Sequence, residues 1–135
     1  MRARPRRAPI MKETAMSFYA LQASYTPVAW TALVNAPANR LEAVRPVVEK
    51  LGGRVVNGWF SFGEYDVLLV CEMPDAVSAA ALSMAISSSG AVKAVKTTPL
   101  MTFDEGVAAL KKASSAEYAA PVTEIPYFGT YRSHA

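Results

Sequence analysis

Glu64 and Asp66 flank Tyr65 in the stretch "FSFGEYDVLLVCEMPD", Phe60 to Asp75, and their types and spacing could do chemistry. On an extended strand, two carboxylates at i and i+2 point to one face about 7 Å apart. Each then raises the other's pKa, and one could serve as a general base. Tyr65 points to the opposite face, which splits the trio. The competing reading is structural: the carboxylates solvate the mouth of a sheet, while Tyr65 packs under a helix with its hydroxyl bonded to backbone. That split favours the structural reading.

Other chemistries find less support. The only histidine, His134, is the penultimate residue, and the single cysteine, Cys71, cannot build a zinc or iron-sulfur centre. An all-carboxylate site from Glu64, Asp66 and Glu72 lacks further ligands, so neither metal nor cofactor is expected. Gly52, Gly53 and Gly63 read as turn glycines, not as a phosphate-binding loop. Ser87 to Ser89 has no nearby histidine and reads as a helix end. Trp59, Phe60 and Phe62 could stack nucleobases, but only Arg54 lies close enough to meet phosphate. A core and interface role is expected for them, and no nucleic-acid partner.

The charge leads to the same conclusion. The chain of 135 residues carries a net +3, but Arg2, Arg4, Arg6, Arg7 and Lys12 crowd its first 15 residues against Glu13 alone. Without that arm, nine basic residues face ten acidic ones, a net −1. Residues 1–16 therefore read as a disordered basic arm or an over-extended start, with Met11 and Met16 as alternative starts. The arm lacks the apolar stretch of a signal peptide, and no run approaches the roughly 20 apolar residues of a membrane span. With 52% hydrophobic and 19% charged residues the composition is globular. A lone thiol within an apolar run suggests a reducing compartment, so a cytoplasmic location is expected.

The elements that must position these residues follow from periodicity. Phe18 to Tyr25 alternates as a strand, with Tyr19, Leu21, Ala23 and Tyr25 on one face. Thr26-Pro27 opens a short helical turn through Leu33. Leu41, Val44, Val48 and Leu51 recur at helical spacing before Gly52-Gly53, and Pro46 predicts a kink or a late helix start. Arg54 to Phe62 reads as the second strand and Glu64 to Met73 as the third. The third is apolar on both faces at its middle and so belongs at the sheet centre. Asp75 caps an Ala-rich helix ended by Ser87-Ser88-Ser89-Gly90. Val92 to Phe103 makes a fourth strand, at an edge because of Pro99. Asp104 to Ala113 closes the domain as a helix.

This order predicts an α+β domain over residues 17–113, a ferredoxin-like split β-α-β with a four-stranded antiparallel sheet. Both long helices cover one sheet face, leaving Leu68 and Val70 on the other. Each such side chain gains about 1.5–3 kcal/mol on full burial, so a homo-oligomer is expected, a dimer with sheets face to face in a dimeric α+β barrel. Residues 114–135 form a Pro/aromatic tail with Tyr118, Ile125, Tyr127, Phe128 and Tyr131, suited to docking a protein partner.

"GEYD" before an apolar strand, then "MPD" and an Ala-rich helix, resembles the GYD-domain family of small bacterial proteins. "EKLGGRV" (Glu49 to Val55) and "VKAVKTTPLMTFDE" (Val92 to Glu105) extend the likeness over Phe18 to Ala113. Gly63, Tyr65 and Asp66 match the motif with Glu64 interposed, and Pro46 departs from the pattern. The resemblance implies a ferredoxin-like fold and oligomerisation, but no established activity.

Three functions follow as expectations. The first is a non-catalytic oligomeric domain binding a small ligand or a partner, with Tyr25, Trp59, Phe60 and Tyr65 as candidate ligand-binding residues. The second is a cofactor-independent enzyme of the dimeric α+β barrel kind, with Asp66 or Glu64 as base, an analogy from fold alone. The third is an accessory subunit docking through its tail.

Overall fold

A computed structural model describes residues 16–121. The expected basic arm, apart from Met16, and the tail from residue 122 onward lie outside the described residues. The described chain divides into two compact units, one ending at Met101 and one beginning at Thr102.

The first unit holds β1 (Ser17–Tyr25), α1 (Pro27–Asn35), α2 (Arg40–Lys50), β2 (Arg54–Phe60), β3 (Val67–Met73), α3 (Ala76–Ser87) and β4 (Val92–Leu100). Every neighbouring pair in the sheet is antiparallel, and the order is β2-β3-β1-β4. The strand apolar on both faces is therefore central, and the one carrying Pro99 is an edge. β1 and β3 pair with Leu21 opposite Leu69 and Tyr19 opposite Cys71. Those residues face the helices, and the core closes over them with Val48 of α2 and Ala79 and Leu82 of α3. The period of β1 is faithful: Tyr19, Leu21, Ala23 and Tyr25 are all buried.

The other sheet face is built from rows that the register sets. Gln22 lies between Leu68 and Lys96, Ala20 between Val70 and Thr98, and Phe18 between Glu72 and Leu100. Leu68 and Val70 are only half-buried there. Arg54 donates from Nε to Oε1 of Glu72 at 2.8 Å at one end of this face.

Side chains set the helix starts. Thr26 accepts from the Ala29 N–H with Pro27 at the first helical position, Asn39 accepts from Leu41, and Asp75 accepts from Ser78. Helix α2 begins at Arg40 and runs through Pro46, so the expected late start does not occur. The missing N–H removes one backbone bond, while the Leu41/Val44/Val48/Leu51 stripe still packs on the sheet.

Three strands are shorter than their periodicity predicts. β2 stops at Phe60 instead of Phe62, and β3 starts at Val67 instead of Glu64. Residues 61–66 form a connecting loop, so strand alternation does not govern Glu64, Tyr65 and Asp66. β4 likewise ends at Leu100 instead of Phe103, because Thr102 turns the chain into a capping box.

The second unit is α4 (Phe103–Ser114) followed by irregular chain. Its Thr102 hydroxyl accepts from the Glu105 N–H at 3.0 Å, and Glu105 accepts from the Thr102 N–H at 2.8 Å. Asp104 and Glu105 in its first turn and Lys111 and Lys112 in its last complement the helix dipole.

Candidate functional site

The loop carrying the carboxylates is tied to the end of β1. The Ser61 N–H donates to the Asp66 carbonyl at 2.7 Å, and the Ser61 hydroxyl donates to the Tyr65 carbonyl at 2.6 Å. The Asp66 N–H reaches the Ala23 carbonyl at 2.8 Å, and the Ser24 hydroxyl reaches the Glu64 carbonyl at 3.0 Å. Asp66 then turns its side chain inward: its Oδ2 accepts the Tyr25 N–H at 2.8 Å. That bond falls at the register shift between Ser24 and Tyr25, where β1 leaves its regular ladder with β4. Asp66 thus supplies an acceptor for a backbone N–H at an irregular strand end.

The trio divides differently from the expectation. Glu64 and Tyr65 share one hollow of about 300 Å³ with Gly63, Gln22 and Lys96, while Asp66 faces Tyr25. Tyr65 therefore lies beside Gln22 and Lys96 and not under a helix. The cause is the loop: without strand geometry, neighbouring residues need not alternate.

A larger space lies on the helix side. A cavity of about 340 Å³ is bounded by the sheet residues Leu21, Ala23 and Tyr25 of β1, Gly58, Trp59 and Phe60 of β2, and Val67 to Leu69 of β3. Helix α2 contributes Leu41 and, spaced i, i+3, i+4 and i+7 along one helical stripe, Arg40, Ala43, Val44 and Val47. Ala85 and Ile86 of α3 and Val92 and Val95 of β4 add further apolar surface, and Asn39 and Ser89 bring polar side chains. Three of the four residues named for a pocket, Tyr25, Trp59 and Phe60, line this cavity, and Tyr65 does not.

Two residues that the sequence did not single out shape the same region. Trp30 of α1 meets Tyr25 edge-on, with centroids 5.2 Å apart and planes at 78°, and lies over Phe60 at 6.4 Å and 25°. Edge-on and offset stacking are the favoured aromatic arrangements, so the three rings form a rigid rim. Arg40 is the single charged residue of the cavity wall. Burial pushes the Tyr25 hydroxyl above its ordinary pKa, a rise that the nearby Arg40 guanidinium partly offsets and the Asp66 charge reinforces. Tyr25 is thus a neutral donor at any ordinary pH.

Cys71 sits fully buried in the core, and desolvation pushes its thiol up to about 11. It is a packing residue, not a nucleophile. Among the described residues, no three His, Cys, Asp or Glu side chains cluster to hold a metal ion, and His134 lies outside them. No helix there is long and apolar enough to cross a membrane.

The family model for the GYD domain matches residues 19–110, a span that runs from β1 into α4. The chain belongs to the GYD-domain family. No curated protein matches the chain. Among solved structures, a protein of unknown function from Nitrosomonas europaea aligns at 12% identity with a TM-score of 0.39, covering 67% of this chain and 93% of that one. In this GYD domain, Asp66 serves the β1 backbone, and Gly63 and Tyr65 line the smaller hollow, away from the larger cavity.

Proposed function

We propose that this GYD-domain protein is an oligomeric small-ligand-binding domain without a catalytic centre of its own. The observation that carries the reading is the cavity between sheet and helices. At about 340 Å³ it falls in the range of ligand pockets, roughly 300–1,000 Å³, and it is largely apolar with few polar groups, as ligand pockets are. Asp66, the first candidate for a base, spends its carboxylate oxygen on a backbone N–H, and Glu64 lies in the other hollow. Neither belongs to the cavity wall.

The βαββαβ order with β1 and β3 central supports a ferredoxin-like plan, and the half-buried row of Phe18, Ala20, Leu68 and Val70 supports pairing of two sheets. A dimeric α+β barrel buries that row while leaving the helix-side cavity to a ligand. A cytoplasmic location accords with the reduced Cys71.

Native mass spectrometry of the protein from its own host tests both parts. The expected result is an even-numbered homo-oligomer carrying a small additional mass, lost in a Val47→Trp variant that fills the cavity. A monomer with no added mass would overturn the reading, and an assembly with a different protein would favour an accessory subunit.

A further inference from the structure

Tyr25, Asn39, Arg40 and Ser89 bring polar groups to the cavity, and the oxygens of Asn39 and Ser89 already accept the Leu41 and Ala91 N–H groups. Tyr25 is 8% exposed and lines the cavity, and no acceptor among the described residues takes its hydroxyl proton. Arg40 lines the same cavity and acts on the Tyr25 hydroxyl as a hydrogen-bonding cation, and its guanidinium can only donate. Among the described residues no carboxylate pairs with Arg40, whereas Arg45 pairs with Glu42 and Arg54 with Glu72. Asp66 acts on Tyr25 from outside the wall, and its Oδ2 already accepts the Tyr25 N–H.

Arg40 also opens α2, an 11-residue helix whose first turn carries partial positive charge toward the same end of the cavity. The Asn39 side chain satisfies only the Leu41 N–H there. A phenol proton, a guanidinium and a helix N-terminus therefore converge on one end of an otherwise apolar space.

We infer that the cavity takes an amphipathic monoanion, its apolar chain or ring between the sheet and α2 and its carboxylate at Arg40 and the Tyr25 hydroxyl. This rests on the ligand-binding reading above and adds the ligand class. The carboxylate supplies the negative charge that the wall lacks opposite Arg40, and charge-assisted bonds of this kind are the strong ones. Arg40 is mostly exposed, so the head group keeps contact with water at the rim while the apolar body is withdrawn from it.

The test uses two matched pairs of probes, octanoate with octanol and naphthoate with naphthamide. Each is titrated into the full chain by calorimetry and followed by tryptophan fluorescence, since Trp30 and Trp59 lie at the rim and wall. In at least one pair the anion should bind about tenfold or more tightly than its neutral partner. Arg40→Gln should remove that preference and Arg40→Lys should keep part of it. Tyr25→Phe should reduce it a few-fold, and Val47→Trp should abolish binding of both members.

Equal affinity for anion and neutral partner, unchanged by Arg40→Gln but lost in Val47→Trp, would overturn the anion inference and leave the ligand-binding reading standing. Binding of neither pair, or binding that Val47→Trp does not weaken, would remove both.

Discussion

Two glycine-bearing connections bracket β2, and they are constrained differently. The turn before it, Leu51-Gly52-Gly53, closes with the Gly52 and Gly53 N–H groups on the Glu49 and Val48 carbonyls and is tightly limited by shape. Gly52 has φ +88°, and a Cβ on Gly53 would lie 2.5 Å from the Glu72 carbonyl oxygen and against the Met73 side chain. The loop after it, residues 61–66, is held by oxygen atoms: the Ser24 hydroxyl and the Asp66 carboxylate fix it to β1, and the Ser61 hydroxyl closes it on the Tyr65 carbonyl. Gly63, in the loop, has no left-handed φ, and a Cβ there meets nothing within 4 Å. Packing therefore requires glycine before β2 and does not require it after.

The contrast is broken first at Gly53. Gly53→Ala must displace backbone of β3, not merely a flexible side-chain end, so a loss of about 3 kcal/mol is expected, the upper part of the overpacking range. Urea unfolding of the variant beside the parent measures it. A loss below about 0.5 kcal/mol would mean that the turn can shift away from β3 at little cost.

The second loop is tested at its acceptor. Asp66→Ala removes the oxygen that takes the Tyr25 N–H and should lower stability by about 2 kcal/mol, as expected for a bond to a charged acceptor. Asp66→Asn retains an amide oxygen and should recover at least half of that loss. Glu64→Gln, on an exposed residue, should stay within about 0.5 kcal/mol. If Glu64→Gln proved as costly as Asp66→Ala, the division of the two carboxylates between separate environments would be wrong.

Sequence periodicity carried the sheet because β1 alternates strictly and β3 is apolar on both sides at its centre. It failed at residues 61–66 because nothing between Glu64 and Val67 interrupts the alternation. The loop is made by hydrogen bonds to Ser24 and Ala23, about 40 positions earlier, the Ser24 hydroxyl donating and the Ala23 carbonyl accepting, and no local pattern encodes those. The cavity was half legible. Tyr25 and Phe60 stand out as aromatics on strands, but Trp30 sits in α1 among apolar neighbours with no clear period. Arg40 escaped notice because it precedes the core stripe of Leu41, Val44 and Val48 by one position. Its adjacent stripe with Ala43, Val44 and Val47 becomes a wall only once β1 and β2 are placed opposite.

The smallest expected effect falls at the loop glycine. Gly63→Ala adds a methyl group into open space at an unstrained φ, so the folded state loses nothing and the unfolded chain loses some entropy. Stability should change by less than about 0.5 kcal/mol in either direction. Measured beside Gly53→Ala, this separates a glycine required by packing from one that packing does not require. A loss above about 1 kcal/mol would show that the loop needs glycine for its own geometry, since ordinary surface changes cost less. Unchanged stability in a variant that has lost a bound mass in native spectra would instead assign Gly63 to recognition. In that case the hollow lined by Glu64, Tyr65 and Lys96, not the helix-side cavity alone, contributes to binding.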